Sequence, residues 1–119
     1  MKLLSVVAAS ALLWPTLALA QASADDVERG RQLFMANGCY SCHGTVGQGG
    51  ERSAAPKLAP NTYPFEAFRA LVRTPREAMP RFDLKYLSDE QLQLIHRYLS
   101  SVPKGLAAKD IPALQGLLR

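Results

Sequence analysis

Two thiols and an imidazole stand side by side in Cys39-Tyr40-Ser41-Cys42-His43. Cysteines three positions apart on one tight helical turn can each reach one vinyl group at the edge of a porphyrin. The adjacent histidine then projects its imidazole to the iron from the same side. Cys-x-x-Cys-His is the attachment pattern for c-type haem. The pentad therefore predicts one haem c, held by thioethers at Cys39 and Cys42, with His43 as proximal ligand. Plainer explanations fit less well. A redox dithiol usually opens a helix after a strand, and no strand pattern precedes Cys39. A zinc site needs two further ligands, and His96 is the sole histidine beyond His43. A disulfide between such close neighbours would stabilise little and leave His43 without a role.

Iron held this way needs a second axial donor, and three side chains are candidates. Met79 lies in Ala78-Met79-Pro80-Arg81-Phe82, with Pro75 and Pro80 fixing the backbone around it. A thioether is a weak ligand and needs such a stiff loop. Met35 stands four residues before Cys39, on the proximal side, and His96 sits between polar neighbours on a surface face. Met79 is the expected ligand. The alternatives are His96, a methionine that merely fills a core gap, or an open sixth position.

The elements that must position these groups can be read outward from them. The chain has 119 residues, 10 acidic and 14 basic side chains, eight glycines and eight prolines, and 48% hydrophobic residues. This composition fits one globular domain and excludes collagen-like, linker-like and disulfide-stapled chains. At the start, Lys2 precedes an apolar run from Leu3 to Leu13, then Trp14-Pro15-Thr16, then Ala18-Leu19-Ala20. Those are the three parts of a secretory signal peptide. Cleavage after Ala20 would leave 99 residues, lower the net charge from +4 to +3 and leave no membrane span. The expected organisation is a signal peptide over 1–20, a domain over 21–103 and a tail over 104–119.

Within the domain, residues 25–37 read as a helix, with Asp25, Asp26 and Glu28 in its first turn and Asn37-Gly38 as its stop. Val27, Gly30, Leu33, Phe34 and Asn37 share one face. Gly44 to Pro64 reads as loop, and a structureless stretch that long suggests wrapping around a large ligand. Residues 65–73 read as a short helix with Phe65, Phe68, Leu71 and Val72 inward. A final helix spans 88–101, opened by a Ser88–Gln91 capping box and striped by Leu92, Ile95, Leu99 and Val102, with Leu94 and Tyr98 beside them. No segment alternates apolar and polar residues, so the expected class is all-α, three to four short helices and long loops around one haem. In the tail, Asp110 could cap a short helix bearing Ile111, Leu114, Leu117 and Leu118. Such a helix is expected to pack on the body rather than dock a partner.

From Gly30 to Pro103 the chain resembles a class I cytochrome c. The matching residues are Gly30-x-x-x-Phe34, Cys39-x-x-Cys42-His43-Gly44, Ala55-Pro56-x-Leu58, Met79-Pro80-x-Phe82 and Tyr98-Leu99. The resemblance implies that the first and last helices cross closely at Gly30, beside Phe34 and Tyr98. It also implies that the Pro56 carbonyl faces the proximal His43. Ala78-Met79-Pro80, Tyr86, Ser88-Asp89-Glu90 and Tyr98-Leu99-Ser100-Ser101 are similar to cytochrome subunits of flavocytochromes, such as that of 4-cresol dehydrogenase.

Iron with both axial places filled excludes most small molecules, so the expectation is a periplasmic one-electron carrier rather than an enzyme. The alternatives are a haem-bearing subunit of a dehydrogenase complex, or a peroxidase or gas-binding protein with an open sixth position. Redox proteins are the expected partners. Arg69, Arg73, Arg76, Arg81 and Lys85 outnumber Glu77 and Asp83 around Met79, which suggests a salt-sensitive docking patch for acidic surfaces. An exported chain at +3 lacks the dense basic surface that nucleic acid requires.

Overall fold

The computed structural model describes residues 14–50, 55–60 and 62–117. Four α-helices follow one another: α1 (Trp14–Ala36), α2 (Tyr40–His43), α3 (Phe65–Arg73) and α4 (Asp89–Ser101). Two short 3-10 helices, Ala108–Asp110 and Pro112–Leu117, form the tail. Among the described residues there is no strand, and the fold is all-α.

α1 is longer than the 25–37 expectation. Gln21-Ala22-Ser23-Ala24 contains neither glycine nor proline, so nothing interrupts helix propagation ahead of Asp25. Trp14-Pro15-Thr16, part of the expected signal peptide, forms the start of this helix. Residues 1–13 of the expected signal peptide lie outside the described residues. Asp25, Asp26 and Glu28 consequently stand inside the helix rather than at its positive end. Side-chain partners engage Glu28 and Asp26 there. Glu28 takes Arg31 at 2.8 Å and Gln32 at 3.0 Å, and these hold its carboxyl down at about 2. Asp26 pairs with Arg97, tying α1 to α4.

α1 packs chiefly against α4, and α3 packs against α4 more lightly. At the first crossing a Cβ on Gly30 would lie 2.1 Å from the Leu94 carbonyl oxygen and 3.0 Å from Tyr98 Cβ. Only glycine permits this approach. One turn further on, the Phe34 and Tyr98 rings meet at 5.7 Å between centroids, tilted by 57°. Both rings are buried, and the Tyr98 hydroxyl donates to the Thr45 carbonyl at 2.8 Å.

α4 opens with the expected capping box: the Gln91 amide donates to Ser88 Oγ at 3.2 Å and the Ser88 amide to Gln91 Oε1 at 2.9 Å. Its apolar stripe buries Leu92, Ile95 and Leu99, with Val102 at the edge. α3 has the expected bounds and sends Phe68 and Val72 into the core, with Phe65 partly covered. Leu71, expected inward, is exposed. At 100° per residue it lies about a quarter-turn off the stripe set by Phe65, Phe68 and Val72. In the tail, Asp110 closes the first 3-10 helix instead of capping the second. Leu106 is exposed, while Ile111 and Leu114 are half-buried.

Candidate functional site

The end of α1 delivers the thiols. Gly38 takes a φ of +73°, its amide donates to the Met35 carbonyl at 3.1 Å, and the Cys39 amide donates to the Phe34 carbonyl at 3.2 Å. This paired closure reverses the chain at a left-handed glycine and fixes where Cys39 starts. A single turn follows: the His43 amide donates to the Cys39 carbonyl at 3.0 Å, and Ser41 Oγ donates to the Gly38 carbonyl at 2.7 Å. Cys39, Cys42 and His43 therefore share one turn, and no disulfide joins the two cysteines. Cys39 is half-buried, and burial pushes its thiol up to about 11.

The loop after His43 folds back onto it. Gly47 sits at φ +71° against Leu99, and its carbonyl accepts from the amides of Leu58 at 2.8 Å and Ala59 at 3.0 Å. The Gly49 amide donates to the His43 carbonyl at 2.8 Å. These bonds bring Pro56 over the imidazole, and His43 Nδ1 lies 2.9 Å from the Pro56 carbonyl. A carbonyl can only accept, so Nδ1 carries the proton, and the neutral ring then has its lone pair on Nε2. His43 is only 8% exposed. Fixing the tautomer by a backbone acceptor is how metal-bound histidines are oriented. The donor set fits a haem: a buried imidazole with a free lone pair, and two thiols on the same turn.

Met79, the expected distal ligand, lies on the loop between α3 and α4, half-buried against the core. Met35 is half-buried on α1. His96, expected on a polar surface face, is instead half-buried. Its Nε2 is bonded to the Tyr63 carbonyl at 2.7 Å, and its ring packs on Phe65 and Phe68 at 5.6 and 5.4 Å. His96 thus ties α4 to the segment entering α3. Among the described residues, no three His, Cys, Asp or Glu side chains gather as a metal cage.

Arginines around Met79 are more occupied than the sequence suggests. Asp89, in the first turn of α4, receives Arg73 at 2.6 Å and Arg69 at 3.0 Å, and these hold its carboxyl below its ordinary value. Arg69 also reaches Glu66 at 2.6 Å, and Arg81 pairs with Asp83 at 2.7 Å. Lys85 lies over the Tyr86 ring at 4.6 Å. The expected count missed Glu66, one helical turn before Arg69, and Asp89, which is twenty residues from Arg69 but adjacent in space.

Helices crossing at a glycine, a Cys-x-x-Cys-His turn and a carbonyl on the histidine define a c-type cytochrome. Residues 25–99 match the family model described as cytochrome C oxidase, cbb3-type, subunit III, and the chain belongs to this cytochrome c family. Its cofactor class is haem c, and its activity is haem-based electron transfer. No curated protein and no solved structure matches the chain.

Proposed function

We propose that the chain is an exported one-electron carrier with a single haem c, thioether-linked through Cys39 and Cys42 and ligated by His43 and Met79. The observation that carries this reading is the buried His43, with Nδ1 on the Pro56 carbonyl and Nε2 left to coordinate. The haem supplies reversible one-electron exchange at its iron. Every other role belongs to the chain. The Cys39–Cys42 turn anchors the group, and Pro56 orients the imidazole and strengthens it as a donor. Met79, a poor donor to ferric iron, raises the reduction potential above that of a bis-histidine site. The core around Phe34, Leu92 and Leu99 excludes water and disfavours the extra charge of the oxidised form. Keeping both ligands in both oxidation states holds reorganisation low. Partners are redox proteins, and the compartment is the periplasm.

Mass spectrometry of protein purified from a host that matures c-type cytochromes is expected to show one haem that resists extraction by acidified acetone. The ferric protein is expected to show the weak sulfur-to-iron absorption in the red, and Met79→Leu to abolish it while keeping the haem. An extractable or absent haem overturns the thioethers. A high-spin ferric spectrum in the wild type overturns Met79 and favours the peroxidase or gas-binding alternative.

A further inference from the structure

The loop that carries Met79 is fastened to the body at its two ends. At the near end the Thr74 amide caps α3 on the Ala70 carbonyl at 2.8 Å. At the far end the Phe82 amide donates to the Val72 carbonyl at 3.3 Å, and Arg73 Nη1 donates to the Phe82 carbonyl at 2.8 Å. Between Thr74 and Phe82, among the described residues, no backbone hydrogen bond joins the loop to another element. Glu77 in this stretch adopts a φ of +56°, a conformation that non-glycine residues take at some cost. The amide bond at Phe82 is long, so the guanidinium is the firmer half of the far anchor.

Arg73 is itself fixed. Its side chain is 18% exposed, and Nη2 donates to Asp89 Oδ1 at 2.6 Å, at the start of α4. One planar fork therefore bridges the last turn of α3, the end of the Met79 loop and the first turn of α4. Arg69 shares the same carboxylate but makes no bond to Phe82.

We infer that Arg73 is a positioning residue for the distal ligand: its bond to the Phe82 carbonyl, braced by Asp89, holds the Met79 loop closed. The inference rests on Met79 being the ligand. With the fork in place the closed loop dominates and an external ligand must wait for the rare open state. Without it the open fraction rises, and apparent affinity for an external ligand rises in proportion.

Imidazole added to the ferric holoprotein displaces a weak thioether and is read by loss of the red sulfur-to-iron band. Arg73→Leu is expected to tighten apparent imidazole binding about tenfold, the order of one charge-assisted hydrogen bond. Arg69→Leu, which loosens the same ion cluster but leaves Phe82 held, is expected to shift it less than about twofold. Arg73→Lys keeps a cation for Asp89 without the two-armed reach and falls between them; it serves as the read if Arg73→Leu does not fold by circular dichroism. Equal shifts for the Arg69 and Arg73 variants, or none, overturn the inference, because the cluster then only joins helices. A wild type without the band overturns Met79 ligation and this role with it.

Discussion

A methyl group added at Gly30 would place a carbon 2.1 Å from the Leu94 carbonyl oxygen. Backbone, unlike a flexible side chain, cannot step aside, so α1 and α4 would have to separate around the Phe34–Tyr98 pair. Gly30→Ala is expected to destabilise the holoprotein by roughly 1–3 kcal/mol, the usual range for forced overpacking, despite alanine's better helix propensity. Denaturant unfolding followed by circular dichroism checks this, and an unchanged or raised midpoint would show that the crossing has slack. At this scale the sequence was most legible where chemistry dictates spacing. Cys39, Cys42 and His43 share one turn, as their spacing alone predicts. The Gly47 clamp was legible only as part of a glycine-rich stretch, because its two carbonyl bonds run to residues eleven and twelve positions away.

Periodicity found α3 and α4 almost to the residue, since both have clear stops: Pro64 before and Pro75 after the first, Ser88 before and Pro103 after the second. It failed at the start of α1, where acidic residues imitate a helix N-terminus but their partners are Arg31, Gln32 and Arg97. Periodicity is silent on Asp89, which stands in the first turn of α4. In the folded chain Asp89 is held below its ordinary value by Arg73 first and Arg69 second, with Ser88 and Glu90 as its chain neighbours. A carboxyl depressed on folding contributes stability that is fully present above its unfolded value near 4 and lost as pH falls through the lower folded value. Stability profiles from about pH 5 down to 2 are expected to fall less steeply for Asp89→Asn than for the wild type, with the variant already weaker at pH 7. Parallel profiles would show that the two arginines do not grip the carboxylate in solution. No sequence pattern announces that contact, because Arg69 and Asp89 are twenty residues apart and meet only when α3 lies on α4.

At the scale of the whole molecule, charge bears on how a redox partner would approach. The chain is +4, and five cations between Arg69 and Lys85 suggested a strong local field beside the Met79 loop. Folding cancels much of it: Arg69 and Arg73 share Asp89, Arg69 also takes Glu66, and Arg81 takes Asp83. A cation and carboxylate in contact look nearly neutral from a Debye length of about 8–10 Å, so paired arginines add little to steering. Arg76 and Lys85 are on the same segment, and no carboxylate contact is seen for either among the described residues. Electron transfer to an acidic redox partner is therefore expected to slow only moderately with added salt. Arg76→Gln with Lys85→Gln should remove most of that salt dependence while leaving the rate at high ionic strength nearly unchanged. Arg81→Gln, which exposes the Asp83 carboxylate, should lower the low-salt rate by no more than a single charge can. The decisive measurement is the second-order rate constant across ionic strength for both variants. If the Arg76/Lys85 variant keeps the wild-type slope, steering arises elsewhere on the surface and the Met79 loop is not where acidic partners arrive.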